Sequence, residues 1–368
     1  MFFRALPALV FLLVLLAGCV SDPTTDGADD SGEAAGLLDP SWDIQLTDTT
    51  ALFIGISIVD DRTVWVSGTN GRYARTLDGG DSWQVRTVPG ADSLQFRDVH
   101  AFDADNAFLL SIGNGANSRI YQTADGGESW SISFQNEDPN GFFDCMDFWD
   151  RDRGFALSDS HDGEFYLIRT MDGGGSWERI PPEAVPDARE GEGAFAASGT
   201  CVVARPGGLG WFSTGASAVD TRVFRTTDYG DTWTDVVTPI ESTTGTSGIF
   251  SITFLDDDRG AALGGDFGNP DSVYLNVAVT EDGGLTWTEA GRSNLGGSVF
   301  GASYVPGAIT PTIVAVAPTG TDYSMDNGQT WTRIDTVNYW GVSFISPDAG
   351  WAVGPGRIAR IVNASGGG

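Results

Sequence analysis

Lysine is absent from this chain, so the 20 basic residues that oppose its 50 acidic residues are all arginines. The formal net charge is −30 at pH 7. A surface this acidic repels nucleic acid and anionic lipid headgroups, which excludes nucleic-acid binding. Loss of lysine with excess aspartate is typical of proteins adapted to molar salt, where the Debye length falls to about 3 Å. We expect a halophilic source; the alternative is an ordinary acidic extracellular protein.

Cysteine and histidine are also scarce, with three and two copies. His100 lies in a predicted strand, where a core residue is expected, whereas His161 lies in a predicted loop. The chain has no His-Glu-x-x-His, Gly-x-Ser-x-Gly or P-loop pattern, so metalloenzyme, serine hydrolase and nucleotide hydrolase functions lose their usual support. We expect no metal and no cofactor. Cys145 and Cys201 both lie in apolar runs, where a disulfide and two buried free thiols are equally compatible with the sequence.

The one long apolar run of the sequence extends from Ala8 to Leu16, behind Arg4. It is too short to span a membrane and is typical of a cleaved export signal, so residues 1–18 are the predicted signal peptide. The run ends in Leu-Ala-Gly-Cys, which resembles a bacterial lipobox and would make Cys19 the lipidated first residue. The alternative is an ordinary signal peptide with a cysteine nearby. We expect an exported protein that is lipid-anchored to the cell envelope.

The two ends of the mature chain have little apolar content. Residues 19–40 combine the lipidated cysteine with a stretch rich in Asp, Gly, Thr and Ser, which predicts a flexible acidic tether. Residues 363–368 are predicted to be a disordered tail. Residues 41–362 are the predicted folded domain.

One pattern, Ser/Thr-x-Asp-x-Gly-x-Ser/Thr-Trp, occurs six times in this domain. The carboxylate and the hydroxyl can bond nearby backbone amides and the glycines tolerate positive φ, so each copy is predicted to close a hairpin. The tryptophan opens the next strand, where its ring covers the hairpin end and its N–H is expected to find a partner. The aspartates and tryptophans of the pattern are Asp78 and Trp83, Asp125 and Trp130, Asp172 and Trp177, Asp228 and Trp233, Asp282 and Trp287, and Asp326 and Trp331.

Each copy belongs to a larger unit of four short predicted strands. Successive aspartates of the pattern are 44 to 56 residues apart, which is typical of the blades of a β-propeller. A seventh unit after the last copy lacks its fourth strand, and Trp42 to Leu46 has the pattern of that strand. We therefore predict an all-β, seven-bladed propeller of four-stranded antiparallel blades, in which the N-terminal strand closes the C-terminal blade.

The repeated pattern resembles the Asp-box, or BNR, repeat of sialidases, other glycosidases, sortilin-type receptors and photosystem II assembly factors. In those families the repeat is structural and lies on the rim of a propeller, which implies that its aspartates are not catalytic. The wider blade pattern, Phe-x-Asp-x-x-x-Gly-x-Ala-x-Gly and then Arg-Thr-x-Asp-Gly-Gly-x-x-Trp, is similar to the photosystem II stability and assembly factors and their non-photosynthetic bacterial relatives. Residues 147–150 and 190–200 resemble those relatives especially.

This resemblance implies a non-enzymatic assembly factor that holds a membrane-protein intermediate, with an arginine patch involved. Arg75, Arg169 and Arg225 match the arginine that precedes the Asp-box, whereas the other three copies have a different residue there. Those three residues are Gln122, Val279 and Tyr323. We expect a monomeric binding or assembly module whose partner is a membrane or envelope protein.

Ligands of propellers generally meet the loops and strand starts around the central channel. Polar residues near such positions could form an acidic pocket with one arginine and one histidine, suited to a cation, a polar ligand or a docking partner. The alternative is that they are solvated acidic loops of an acidic protein. The candidate residues are Asp144, Asp147, Asp159, His161, Arg189, Glu190 and Glu192.

A glycoside hydrolase, sialidase-like or other, is the alternative function, with a carboxylate pair at the propeller mouth. Such enzymes need two carboxyl groups about 5 to 9 Å apart. The Phe-Arg-Ile-Pro motif of sialidases is absent, and Phe96-Arg97-Asp98-Val99 is a partial echo of it. Convergent carboxyls in a deep funnel would favour hydrolysis, and a shallow apolar patch with arginine would favour protein docking.

Overall fold

The structure is a computed structural model that describes residues 36–216, 220–270 and 275–363. The predicted signal peptide, Cys19, most of the predicted tether and residues 364–368 lie outside the described residues. No helix within the described ranges is long and apolar enough to cross a membrane.

The described residues form seven antiparallel blades around a central channel, which confirms the predicted fold. Two short 3₁₀ turns, Gly115–Asn117 and Pro182–Ala184, are also present. Blade 1 contains the second half of β1 (Ser41–Ile58), β2 (Val64–Gly68), β3 (Arg72–Thr76) and β4 (Gln84–Thr87). Blade 2 contains β5 (Gln95–Ala101), β6 (Ala107–Ile112), β7 (Arg119–Thr123) and β8 (Ser131–Gln135). Blade 3 contains β9 (Phe143–Phe148), β10 (Gly154–His161), β11 (Glu164–Thr170) and β12 (Glu178–Arg179). Blade 4 contains β13 (Val202–Arg205), β14 (Leu209–Ser213), β15 (Arg222–Thr226) and β16 (Thr234–Val237), and blade 5 contains β17 (Ser247–Phe254), β18 (Gly260–Asp266), β19 (Val277–Thr280) and β20 (Thr288–Glu289). Blade 6 contains β21 (Gly301–Tyr304), β22 (Ile313–Ala317), β23 (Gly320–Ser324) and β24 (Thr332–Asp335). Blade 7 contains β25 (Gly341–Ser346), β26 (Ala349–Val362) and the first half of β1.

Strand β1 closes the ring, as the sequence predicts. Its first half pairs with β26, with Ser41 opposite Val362, and its second half pairs with β2, with Ile58 opposite Val64. One continuous strand therefore completes blade 7 and begins blade 1. Closure removes an open sheet edge that another chain could pair with.

Two residues beyond the predicted domain boundaries also pack on the propeller. Leu37, in the predicted tether, is fully buried. Asn363, in the predicted tail, donates to the Gly36 carbonyl at 2.9 Å, and its amide oxygen accepts from Leu38 N at 2.8 Å.

An aromatic residue and a glycine that face each other in blades 3, 5 and 7 have a packing cause. Phe148 at the end of β9 lies across Gly154 of β10, where an added Cβ would come within 2.4 Å of the ring. Phe344 and Gly350 repeat this arrangement in blade 7, with a corresponding distance of 2.2 Å. A side chain at the glycine would displace the ring, so the two positions are coupled.

Side-chain oxygens on the inner strands join several pairs of neighbouring blades. Asp98 of blade 2 accepts a hydrogen bond from Met146 N of blade 3 at 2.7 Å, and Asp147 accepts one from Ala204 N of blade 4 at 2.7 Å. Asp147 also contacts His100 Nδ1 at 2.8 Å. Buried backbone N–H groups are costly without partners, so these bonds stabilise the ring. Similar bonds join Ser57 to Ala101, Ser251 to Ala302, and Ser303 to Phe344.

Cys145 and Cys201 form a disulfide, which decides a question that the sequence leaves open. Both residues are fully buried, and their Cα atoms are 6.0 Å apart. The bond joins the inner strand of blade 3 to the residue that precedes β13 of blade 4. It therefore fixes one interblade contact covalently.

The structure places the Asp-box aspartates within their own turns. Thr123 Oγ1 donates to Asp125 at 2.8 Å and accepts from Gly127 N at 2.9 Å, while Ser129 donates to Asp125 through both N and Oγ. The other five copies repeat these bonds. The Ser129 hydroxyl, with its backbone N–H and Thr123, stabilises the carboxylate and lowers the pKa of Asp125 to about 2.

The expected indole hydrogen bonds form in only part of the set. Trp177 donates to Ser133 Oγ at 2.8 Å and Trp331 to the Gly291 carbonyl at 2.9 Å. The other four Asp-box tryptophans have buried indole nitrogens with no hydrogen-bond partner among the described residues. Ring packing holds these residues instead; Trp130, for example, packs edge-on against Tyr73 at 5.2 Å. The four are Trp83, Trp130, Trp233 and Trp287.

The arginines that precede the Asp-boxes lie between blades. Arg75 of blade 1 donates to the Ala104 carbonyl of blade 2 at 2.6 Å, and Arg169 of blade 3 pairs with Asp231 of blade 4 at 2.5 Å. The two arginines occupy separate interblade contacts.

Candidate functional site

An irregularity near the start of several inner strands decides which side chains line the channel mouth. The pairing of β5 with β6 skips Arg97, that of β9 with β10 skips Asp144, and that of β17 with β18 skips Phe250. Such β-bulges re-aim one side chain. Phe300 and Trp340 immediately precede β21 and β25, at the corresponding position of their blades. All five side chains line one cavity of about 330 Å³.

Aromatic side chains form most of the wall of this cavity. The Phe195 and Phe250 rings are parallel with centroids 4.0 Å apart, and the Phe300 and Trp340 rings meet edge to face at 4.8 Å. Phe267, which follows β18, is 50% exposed. These five residues come from blades 4 to 7, and we call them the aromatic funnel.

Arg97 lies at the Trp340 end of the aromatic funnel. Its guanidinium carbon lies 5.1 Å from the ring centre of Trp340, a cation–π distance. It donates to the Ala196 carbonyl and to Gln95 Oε1, each at 3.2 Å. Its Nε is buried and has no partner in the described part of the chain, and burial lowers the pKa of the guanidinium. None of the described carboxylates forms an ion pair with it.

Asp144 and Asp159, both on blade 3, line the same cavity as Arg97. Asp144 is 1% exposed, and its Oδ2 has no hydrogen-bond partner within the ranges that the structure describes. Burial, reinforced by the charge of Asp159, raises the pKa of Asp144 well above its usual 3.8. Burial also raises the pKa of Asp159, which accepts a hydrogen bond from Ala194 N at 2.9 Å. Two coupled carboxyl groups of this kind resist ionising together.

We expect replacing Asp144 with asparagine to flatten the pH dependence of stability. The folded-state pKa lies above the unfolded value, so this stabilising contribution is complete below about pH 3.8 and is lost as pH rises through the folded pKa. One such proton corresponds to a slope of about 1.4 kcal/mol per pH unit inside that window. Urea unfolding of wild type and Asp144→Asn from about pH 4 to about pH 8 measures the change in the pH dependence of the free energy of unfolding.

Asp125→Asn is the matched control, because the pKa of Asp125 is lowered to about 2. That contribution is complete above about 3.8 and is lost as pH falls toward 2. The control variant should therefore keep the slope at higher pH that Asp144→Asn loses. Equal slopes for wild type and Asp144→Asn would contradict the proposed burial of an ionisable group.

A groove of about 480 Å³ adjoins the cavity that the aromatic funnel lines, and Asp159 lines both. His161, Arg189, Glu190 and Glu192 also line the groove, so it brings together five of the predicted residues. His161 lies 3.2 Å from Asp162 and is exposed. Unlike the funnel, the groove has no Phe, Tyr or Trp among its described lining residues.

Two predicted residues have structural partners. The carboxylate of Glu192 has no exposure and pairs with Arg222, while it also accepts from Thr214 Oγ1 at 2.6 Å and Arg189 N at 2.9 Å. Asp147 lies inside the channel and bonds the neighbouring blade. Neither carboxylate belongs to the funnel lining.

The sequence prediction selected Asp144 at the funnel but missed Arg97, Phe250, Phe300 and Trp340. A signal was available, because all five lie at a similar place in their repeats. Four of them lie four residues before the residue that pairs with the first residue of the second strand. Trp340 lies four residues before Phe344, which pairs with Gly350, the second residue of β26. Searching for polar residues alone overlooks the aromatic ones. No cluster of three or more His, Cys, Asp or Glu able to hold a metal occurs among the described residues.

Comparison with known proteins agrees with this architecture. Residues 35–131 match the family model of the photosynthesis system II assembly factor YCF48. The solved structure of YCF48 bound to a D1 peptide superposes with a TM-score of 0.60 at 21% identity, covering 88% of this chain and 97% of that one. This chain is therefore similar to YCF48 over residues 35–131 and shares the β-propeller fold of the solved YCF48 structures. YCF48 from Cyanidioschyzon merolae superposes with a TM-score of 0.59 at 16% identity, covering 87% of this chain and 98% of that one.

The propeller also shares its fold with a glycoside hydrolase. A GH74 xyloglucanase from Xanthomonas campestris superposes with a TM-score of 0.60 at 13% identity, covering 87% of this chain. The chain spans 53% of that enzyme's length. At these identities the structural likeness shows the fold alone. No curated protein sequence matches the chain.

Proposed function

We propose that this propeller is a non-enzymatic docking module that receives a segment of a membrane or envelope protein in the aromatic funnel. The observation that carries the proposal is the concentration of aromatic side chains at the channel mouth, with Phe267 50% exposed. Exposed apolar clusters with a few polar groups are typical of protein-interaction sites, and aromatic residues are common anchors there. The similarity to a YCF48 that was solved with a D1 peptide supports the same kind of occupant.

The remaining parts of the proposal concern location. We propose that Cys19 carries the lipid and that residues 20–35 connect it to the propeller, so that the funnel meets partners at a membrane surface. The net charge of −30 with no lysine supports function in concentrated salt. Membrane fractionation of Cys19→Ser tests the anchor, since the variant should move to the soluble fraction. A variant that stays in the membrane fraction would contradict it.

Site-specific crosslinking in native membranes tests the docking surface. A photoreactive phenylalanine analogue at position 267 should give a discrete adduct with one envelope protein. The matched control is the same analogue at position 285, since Leu285 is 55% exposed in the same blade but does not line the funnel. It should give no such adduct.

A Trp340→Ala variant carrying the analogue at 267 should lose most of the adduct, because truncating a central aromatic anchor typically costs about 2 kcal/mol or more of binding energy. Equal labelling from positions 267 and 285 would show a non-specific surface. Absence of any adduct from 267 would overturn the docking proposal.

Glycoside hydrolysis is a second candidate, favoured by the Asp144 and Asp159 pair in an aromatic-walled cavity. Both carboxyls would have to reach the sugar, one as acid and the other as base or nucleophile. Asp144, at 1% exposure with its unpartnered oxygen enclosed, does not offer that access. Glycan hydrolysis that Asp159→Asn abolishes would establish the enzyme and displace the docking proposal.

A further inference from the structure

We propose that Arg97 and Trp340 form a recognition subsite for an acidic side chain, so that the funnel selects a partner segment in which an aspartate or glutamate adjoins a large apolar residue. This inference rests on the docking function proposed above and names the chemistry of its ligand.

The first argument is the uncompensated charge of Arg97. A guanidinium has five N–H donors. The structure gives Arg97 two hydrogen bonds, both to neutral oxygens, and leaves its Nε buried without a partner. The side chain nevertheless lines the funnel cavity. A carboxylate is the group that a guanidinium fork binds best, in two parallel charge-assisted hydrogen bonds.

The second argument concerns the sign of the ligand charge. The chain's own Arg97 already lies over Trp340, so a ligand cation would meet a like charge there. The nearby acidic groups do not offset this effect fully, because burial raises the pKa of both Asp144 and Asp159 and favours their neutral forms. The local balance therefore differs from the strongly acidic surface of the whole chain and accommodates an anion.

The third argument is the apolar wall beside the subsite. The Phe300 ring meets Trp340 edge to face, and its centroid lies 5.9 Å from that of the Phe250 ring. An acidic residue held at Arg97 would place its apolar neighbour against this wall. Burial of the apolar group against aromatic rings supplies binding energy, and the charge pair supplies selectivity.

Binding of blocked, fluorescently labelled peptides to the full-length lipoprotein in detergent tests the inference. The peptides carry Phe-Glu, Phe-Gln or Phe-Lys in the same Gly/Ser context, and a fourth ends in Phe with a free terminal carboxylate. Wild type should bind the Phe-Glu peptide about 10- to 100-fold more tightly than the Phe-Gln peptide, as expected for a hydrogen-bonded charge. Arg97→Gln should abolish that preference, and Arg97→Lys should reduce it because the fork is lost.

Arg62→Gln is the control, because it removes the same charge from the exposed turn between β1 and β2. It should keep the preference, and thermal unfolding of each variant verifies that it is folded. Equal binding of Phe-Glu and Phe-Gln, a preference for Phe-Lys, a preference that survives Arg97→Gln, or no peptide binding would overturn the inference. Tighter binding of the chain-end carboxylate than of Phe-Glu would also overturn it. The docking proposal survives these results if the adduct from position 267 still depends on Trp340.

Discussion

Replacing Arg222 with methionine is expected to lower the free energy of unfolding by about 3–5 kcal/mol. Arg222 Nε donates to Glu192 Oε1 at 2.9 Å, its Nη2 pairs with Glu192 Oε2, and its Nη1 donates to Asp235 at 2.8 Å. The exposed fractions of the Arg222 and Glu192 side chains are 4% and 0%. Without the guanidinium, the Glu192 carboxylate would stay buried and lose its countercharge.

Arg169→Met is the matched control in the preceding blade. Arg169 also pairs with two carboxylates, but those of Glu178 and Asp231 are 63% and 67% exposed. Its loss should cost at most about 1 kcal/mol, because water replaces the lost interactions. Urea unfolding at neutral pH measures both variants. A cost for Arg222→Met no larger than for Arg169→Met would show that the buried pair contributes little.

Removing the disulfide between Cys145 and Cys201 is expected to cost about 4 kcal/mol. The bond closes a loop with a sequence separation of 56 residues, and restricting a loop of this size lowers the entropy of the unfolded chain. Asp144 adjoins Cys145, and Phe195 lies in the segment that leads into Cys201. Loss of the disulfide should therefore also loosen one side of the funnel.

The double variant Cys145→Ala/Cys201→Ala, compared with wild type under oxidising and reducing conditions, measures this contribution. Reductant should lower the unfolding midpoint of wild type to near that of the variant and leave the variant unchanged. A variant as stable as oxidised wild type would contradict the predicted contribution. Unequal effects of reduction and substitution would separate the cost of the lost bond from that of the lost side-chain packing.

The fold was predictable because its signals are local and repeated. Thr123, Asp125 and Ser129 lie within a few residues of one another, and their turn chemistry indicates the same hairpin in each of six copies. The spacing of the copies then predicts blades. Ring closure followed because the strand near Trp42 and the incomplete seventh blade each lacked a partner.

The candidate site was predictable only in part. Asp144 and Asp159 do meet at the channel mouth, and His161, Arg189 and Glu190 share the neighbouring groove. These residues were accessible to inference because they lie near strand ends. The aromatic lining was missed because a phenylalanine that begins an inner strand resembles any core phenylalanine until the bulge turns it toward the cavity.

The sequence by itself determined the repeat, the number of blades, the turn chemistry and the closure of the ring, because each depends on neighbouring residues or on a regular period. Only the tertiary structure decided which charges are paired. Glu192 pairs with Arg222, which is 30 residues distant in sequence, and Asp147 accepts a hydrogen bond from Ala204, which is 57 residues distant. Arg97 forms no ion pair with a carboxylate among the described residues. The energy of a charge depends on its burial and on its partners, and both are set by how distant segments pack.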